Sequence, residues 1–241
     1  MNKVEFVDTF NKICSELNLE LEPYIEYGIK LSNTNINTDK VNISFKSEKI
    51  TKEQLLSIVQ SLFSNFNNVE KFINNIYSEH NDNIKYIFVG SSSGNKEIYF
   101  EISKPGESST LISYDEGLDQ TSIYEPLFNP NSTIDILAEF IYNKTGLIIP
   151  SPYEYFKGGF VKNGNTYYIL VLEPLQSLKY VLNKLCETIN PTQSDMVKEW
   201  LNSYDDSYQL DNIAYSIDKD NINLNIYTSK QNESRTTEVK H

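Results

Sequence analysis

The residues best suited to chemistry in this chain alternate along predicted β-hairpins. In the hairpin over residues 85–102, three apolar side chains alternate along the second strand with Glu97, Tyr99 and Glu101. Successive side chains of a strand face opposite sides of the sheet. One face is therefore apolar and the other combines carboxylates with an aromatic ring, which is unusual for a face that meets only water.

Other kinds of site are disfavoured by the motifs. The acidic stretch Asp115–Asp119 could suggest a metal ion, but the turn residues around it favour a loop with clustered charge. His80 stands alone beside a predicted helix end, and the other histidine, His241, lies in the tail. A zinc site or a His-dependent triad is therefore disfavoured. Gly90–Gly94 reads as a hairpin turn, because a phosphate loop would open a helix.

Composition limits the classes of partner. The chain has 241 residues and a formal net charge of −12, so nucleic-acid binding is not expected, because phosphate backbones need a basic surface. A basic protein partner would suit this charge. Cys14 and Cys186 are the only cysteines, and they read as two buried thiols rather than a disulfide framework. No signal peptide or membrane-spanning run is expected, so we predict a cytoplasmic protein without a membrane partner.

The positions of these residues depend on four hairpins and the helices between them. Hairpins are predicted over residues 24–46, 85–102, 155–173 and 213–227. Helices are predicted over residues 4–17, 51–63, 69–78, 134–144, 175–189 and 196–204, and Thr51 with Gln54 predicts a capping box at the start of the second. Apolar stripes are predicted in the first helix (Val4, Val7, Phe10, Ile13, Cys14 and Leu17) and in the third (Phe72, Ile73, Ile76 and Tyr77). A short strand is expected over 109–114, and residues 115–131 are left unassigned. The resulting αββα rhythm has no linker, which predicts one domain over residues 1–228 and a polar tail over 229–241.

The polar faces of the hairpins allow two architectures. An open antiparallel sheet would show this face to water. Alternatively, the strands close into an antiparallel β-barrel, helices cover the outside and the Tyr-rich face lines a lumen. Closure would remove the edge strands that an open sheet must protect. The predicted fold class is therefore α+β, with the barrel as its preferred form.

The αββα repeat and its Tyr-rich hairpins, which carry scattered lysines and acids, resemble the ABBA prenyltransferases, or PT barrels. The stretch Thr145–Pro150 leading into Phe156–Asn165 is similar in rhythm to hairpins of that family, including the small enzymes that modify cyclic peptides. The resemblance covers most of the chain as a pattern. The chain departs from the family in its short length, its four hairpins instead of five, and its single arginine, Arg235.

The resemblance implies transfer of a dimethylallyl-like group from a prenyl diphosphate to an aromatic or peptide acceptor. Cations would hold the diphosphate, and the strand candidates are Lys30, Lys46, Lys85, Lys157 and Lys162. Aromatic faces would shield the carbocation, and the candidates are Tyr24, Tyr99, Tyr155, Tyr168 and Tyr227. Glu26 or Glu101 would act as the base. The diphosphate could bring Mg²⁺, and no other cofactor is implied.

Strand parity refines this set. Glu26, Lys30, Lys46, Tyr99 and Glu101 are expected on the polar faces, whereas Lys157 and Lys162 have opposite parity, so at most one of those two faces inward without a bulge.

Each candidate also has a structural interpretation. Strand lysines often only block edges or aid solubility, and tyrosines favour sheets in general. The alternative function is a non-enzymatic, acidic binding protein of the immunity or inhibitor type, which masks a basic protein through complementary charge. A ligand-binding barrel without chemistry is a third option.

Overall fold

The computed structural model describes residues 1–31, 36–106, 109–126, 160–162, 170–172, 191–203, 207–218 and 221–230. The chain divides into two compact units. The described residues of the first unit lie within Met1–Ile25, Asp39–Pro126 and Val161–Asn165. Those of the second lie within Glu26–Thr38, Leu127–Phe160 and Thr166–His241.

The described helices are α1 Lys3–Glu16, α2 Lys52–Leu62, α3 Phe66–His80 and α4 Pro191–Asn202. Short 3₁₀ turns cover Ser47–Lys49 and Asn81–Asn83. The strands are β1 Tyr24–Leu31, β2 Ile36–Lys46, β3 Ile84–Ser92, β4 Asn95–Ile102, β5 Thr110–Asp115, β6 Gln120–Pro126, β7 Phe160–Lys162, β8 Leu170–Leu172, β9 Tyr208–Asp218 and β10 Asn221–Lys230. No helix among these described segments is long and apolar enough to cross a bilayer.

The first two helices begin at capping boxes, which satisfy backbone N–H groups that a helix start leaves without partners. The Asn2 side chain accepts hydrogen bonds at the start of α1, and Glu5 reaches back to the Asn2 backbone. Thr51 and Gln54 do the same for α2, which confirms the capping box predicted from the sequence. Of the predicted α1 stripe, Val7, Phe10, Ile13 and Cys14 are buried, whereas Leu17 is half-buried and Val4 is 59% exposed.

The sheet of the first unit has the strand order β6-β5-β4-β3-β2, with β7 beside β6. All the neighbouring pairs from β2 to β6 are antiparallel. Helices α1 and α3 pack on its apolar face, where Ile98 and Phe100 are fully buried as the alternation predicted. Phe45 meets Phe10 of α1 at 5.8 Å between ring centroids, and Phe100 meets Phe72 of α3 at the same distance.

One irregularity changes the alternation of β3. Ile84 pairs with Ile102 and Tyr86 pairs with Glu101, so Lys85 is an extra residue on its strand. A β-bulge of this kind bends a strand and redirects its side chains. Lys85 therefore falls outside the two-residue alternation of β3.

In the second unit, β10 pairs with β1 on one side and with β9 on the other, and β8 pairs with β9, all antiparallel. The predicted fourth hairpin is thereby confirmed, with both strands longer than expected. Ile29 of β1 lies opposite Ile226 of β10, and both are fully buried. Tyr27 meets Tyr208 edge to face at 6.1 Å.

The structure confirms an α+β fold built on antiparallel pairing, but the closed barrel is wrong. Among the described strands of each unit, the pairing order is linear and its first and last strands are not paired with each other. Repeated αββα units are not shown by the described elements, in which β5 and β6 succeed β4 directly. Strand alternation determines which face is polar and does not determine whether the end strands meet.

Three of the predicted helices and hairpins fall wholly or mainly outside the described residues. They are the helix over 134–144, the third hairpin apart from β7 and β8, and the helix over 175–189.

Candidate functional site

An open cleft of about 1120 Å³ lies within the first unit, where several elements end or begin. Its walls come from the end of β2, the following 3₁₀ turn, the start of α2, the end of α3 and the start of β3. Ser47 holds two of these walls together, because its hydroxyl donates a hydrogen bond to the Ile84 carbonyl at 2.5 Å. The cleft therefore joins helix ends to strand ends.

Three lysines from three different elements line the cleft: Lys46, Lys52 and Lys85. Lys46 is the last residue of β2, Lys52 opens α2, and Lys85 is the extra residue of the β3 bulge. None of the three forms an ion pair with a described residue. Two of them were predicted from the sequence, and the structure brings both to one cleft.

Tyr77 of α3 also lines the cleft. Its hydroxyl is buried and has no hydrogen-bond partner, which is costly for a polar group unless something satisfies it. Burial, helped by the negative charge of Glu53, raises the pKa of Tyr77 to about 12. The phenol therefore stays protonated at neutral pH and remains able to donate a hydrogen bond.

Three carboxylates balance the lysines, since Glu48, Glu53 and Asp82 line the same cleft and are exposed. Glu53 lies in the first turn of α2, where a negative charge complements the helix dipole. The cleft thus presents both signs of charge.

Lys46, Tyr86 and Glu101 form a cross-strand row in the first unit, since Lys46 pairs with Tyr86 and Tyr86 with Glu101. Tyr99 lies two residues along β4 from Glu101, on the same face as predicted, and its ring centroid is 6.3 Å from that of Tyr124. Tyr86 belongs to both the row and the cleft wall. A predicted base and a predicted phosphate-binding lysine are therefore separated by one aromatic residue.

The remaining predicted residues do not join this row. Tyr24 is buried in the first unit. Glu26, Lys30 and Tyr227 lie in the second unit. Glu26 is only 4% exposed, whereas Lys30 is exposed and pairs in register with Asn225.

Four predicted residues have no described side chain. Lys162 is described only as part of β7, and Tyr155, Lys157 and Tyr168 lie outside the described residues.

The acidic turn Asp115–Asp119 joins β5 to β6, and its carboxylates accept hydrogen bonds from protein donors. Asp115 accepts from the Asn95 amide at 2.9 Å. Asp119 accepts from the Tyr114 hydroxyl at 2.7 Å and from the Asn68 amide at 2.9 Å. Within the described residues, no group of three or more potential ligands is arranged to hold a metal ion.

Two pKa values are shifted at this turn. Donation by Tyr114, and then by Asn68, lowers the pKa of Asp119. Burial, followed by the hydrogen bond to Asp119, raises the pKa of Tyr114 to about 12.

Sequence reasoning missed Lys52, Tyr77 and Tyr86. It considered lysines on strands only, and it read Tyr77 as part of a helical stripe. One available signal was the Thr51 capping box, which places a helix start five residues after Lys46. No protein-family model matches the chain, and no curated protein matches it either.

Proposed function

We propose that this chain is a non-enzymatic binding protein that masks a basic protein partner. The observation that carries this proposal is an acidic surface on α1 and the segment after it. It consists of five exposed carboxylates: Glu5, Asp8, Glu16, Glu20 and Glu22. We call this set the α1 acidic surface.

Little positive charge opposes this surface. Only Lys3 and Lys12 are basic among the first 22 residues. Lys12 lies 3.8 Å from Glu16, and both side chains are largely exposed, so the pair is weak. Lys3 is half-buried, and its backbone N–H donates to Asp39 at 2.7 Å. The net negative charge is therefore available to attract a cationic surface.

Apolar contact area lies beside these charges. Val4 and Met1 are both large, exposed hydrophobic residues at the start of α1. Interfaces commonly combine an apolar centre with a charged rim. A partner with a basic rim around an apolar patch would complement this arrangement.

The test is binding to a panel of purified basic proteins, measured by biolayer interferometry at about 50 and about 300 mM NaCl, because exposed charge pairs are screened by salt. The variant Asp8→Lys with Glu20→Lys should weaken binding of the best partner by at least about tenfold. Its matched control is Glu79→Lys with Glu199→Lys, which changes the net charge equally at exposed positions elsewhere. An equal loss of affinity in both variants would refute the proposal, and so would the absence of binding to every basic protein tested.

Prenyl transfer is the second candidate, and the Lys46–Tyr86–Glu101 row favours it. In this proposal Lys46 holds the diphosphate with Mg²⁺, Tyr86 faces the allyl cation and Glu101 takes the acceptor proton. This proposal requires only that the three residues lie on one face of the sheet, and it does not require an enclosed barrel. We expect incubation with dimethylallyl diphosphate, Mg²⁺ and a tryptophan- or tyrosine-containing peptide to give a product heavier by one prenyl group.

The variant Glu101→Gln with Lys46→Ala should abolish this turnover while the melting temperature falls by only a few degrees. Absence of any mass gain across several acceptors would rule the second candidate out. Unfolding of the double variant would instead show that both residues are structural.

A further inference from the structure

We propose that the polar face of the first unit's sheet binds a sugar, through serine hydroxyls and aromatic rings on adjacent strands. The polar face is the side that carries Tyr99 and Glu101, opposite the helices that cover Ile98 and Phe100. This inference goes beyond the proposed function, because the α1 acidic surface lies on α1 and the segment after it and shares no residue with this face.

One cross-strand row of side chains crosses five strands of the polar face. The residues pair directly at each step from β2 to β6, in the order Ser44, Phe88, Tyr99, Ser113 and Ser122. We call these five residues the serine row. Directly paired residues point to the same side of a sheet, with Cβ atoms about 5 Å apart, so all five side chains belong to one surface.

The three serines of this row are the observation that points to a ligand. Ser44 is 3% exposed, and Ser113 and Ser122 are each 4% exposed, yet their hydroxyls form no hydrogen bond with any residue that the structure describes. The hydroxyls are not sealed, because the fully enclosed, unpartnered hydroxyls of the described residues belong to Tyr77 and Ser91. A nearly buried hydroxyl without a partner lowers stability. A ligand with hydroxyl groups of its own would supply both donors and acceptors.

Aromatic rings surround the centre of the serine row. The ring centroids of Tyr99 and Tyr124 are 6.3 Å apart, and their planes are inclined at 45°. Tyr86 and Phe88 lie on the same face of β3, and all four rings are partly exposed. Sites for small molecules commonly combine such rings with a few polar groups that fix the orientation of the ligand. The rings would pack against the C–H groups of a sugar, while the serines bind its hydroxyls.

The charges of the polar face favour a neutral ligand. Glu101 is half-buried and forms no ion pair or hydrogen bond with a described residue, and Glu97 accepts a hydrogen bond from the Tyr99 hydroxyl. These two carboxylates would repel an anion at the serine row. An organic cation would suit Glu101 and the rings but would leave the donor capacity of the serines unused. A sugar satisfies both, because carboxylates accept hydrogen bonds from hydroxyls.

Saturation-transfer NMR on the full chain tests this with the methyl glycosides of glucose, galactose and mannose and with the disaccharides maltose and cellobiose. We expect transfer to the ring C–H protons of at least one sugar at about 10 mM, a concentration that populates weak complexes. Absence of transfer to every sugar would overturn the proposal. Tetramethylammonium is the probe for an organic cation, and binding of this ion without binding of any sugar would also overturn it.

The variant Ser113→Ala locates the site. It removes one hydroxyl from the serine row and should weaken sugar binding by about threefold to tenfold, the scale of one neutral hydrogen bond. The matched control is Ser91→Ala, because Ser91 is similarly buried and unpartnered but pairs with Val41 and Lys96 on the helix side of the same sheet. Equal weakening in the two variants, or weakening in neither, would overturn the site.

Charge and salt separate this inference from the proposed function. The variant Glu101→Gln keeps a hydrogen-bond acceptor and removes the charge, so it should weaken sugar binding by less than about tenfold, and complete loss of binding would contradict a neutral ligand. Sugar affinity should be the same at about 50 and about 300 mM NaCl, because a neutral ligand forms no screened charge pair. A strong decrease of affinity with salt would overturn the proposal, whereas binding of a basic protein must show that decrease.

Discussion

The ammonium nitrogen of Lys96 lies 3.7 Å from a carboxylate oxygen of Glu116, and each of the two side chains is only 11% exposed. The other oxygen of Glu116 accepts the backbone N–H groups of Ser64 and Asn65 at 2.5 and 2.7 Å. A single carboxylate therefore fastens the β5–β6 turn to β4 and to the connection between α2 and α3. The sheet and the helix layer of the first unit are joined at this residue.

Glu116→Ala should destabilise the first unit strongly. It leaves Lys96 almost buried without its partner and removes the acceptor of two backbone donors, so we expect a loss of about 2–4 kcal/mol in the free energy of unfolding. Urea denaturation followed by circular dichroism measures this loss. The control is Glu16→Ala, which breaks an exposed pair and should cost less than about 1 kcal/mol. A similar loss of unfolding free energy in the two variants would contradict a structural role for the contacts of Glu116.

Alkaline pH should expose two abnormal tyrosines. Burial raises the pKa of Tyr77 and of Tyr114 to about 12, above the ordinary value of 10.0 that applies in the unfolded chain. Their contribution to stability is complete below pH 10.0 and is lost as the pH rises towards 12. Absorbance titration of the phenolates should show a late step, which the variant Tyr77→Phe with Tyr114→Phe removes. A late step that persists in this variant would assign it to other tyrosines.

Acid pH should weaken the turn at Asp119. Hydrogen bonds from Tyr114 and Asn68 lower the pKa of Asp119 in the folded protein. Their contribution is present above the unfolded pKa and is lost as the pH falls through the folded one. The wild type should therefore have a higher urea midpoint of unfolding than Asp119→Ala at neutral pH, and the difference between the two midpoints should decrease in acid. A difference that stays constant with pH would show that ionisation of Asp119 is not involved.

Cys14 should be nearly inert in the folded protein. Burial raises the pKa of its thiol to about 11, and the thiolate is the reactive form. In a Cys186→Ser variant, where Cys14 is the remaining thiol, reaction with a disulfide reagent near pH 8 should be about 100-fold slower than in denaturant. Fast reaction of the native variant would mean that α1 opens readily.

Local patterns predicted much of the first unit. The alternation in β4, the capping box of α2 and the apolar stripe of α3 are all local features, and each appears where the sequence placed it. The strand β6 was missed because Asp115–Asp119 reads as a turn and hides the short strand after it. Val4 was wrongly placed in the core because the α1 stripe begins one turn later.

The closure of the sheet could not be read in the same way. Parity puts Lys46, Tyr99 and Glu101 on one face, but it contains no information on which strands lie at the ends of the sheet. The cleft was equally hidden, because it depends on how the stretch over residues 46–53 and the stretch over residues 74–86 are placed against each other. Only the registers of β2, β3 and β4 reveal that Lys46 and Glu101 flank Tyr86.

Because of the bulge in β3, the charge of the cleft can change without a change in the pairing of the strands. Lys85 occupies a position that has no opposite residue on β4, so removal of this one amino acid would leave an unbroken ladder from Ile84 to Ser92. The helices, the capping boxes and the buried face would keep their places. Deletion of one codon could therefore remove a positive charge from the cleft during evolution while the surrounding helices and strands stay unchanged.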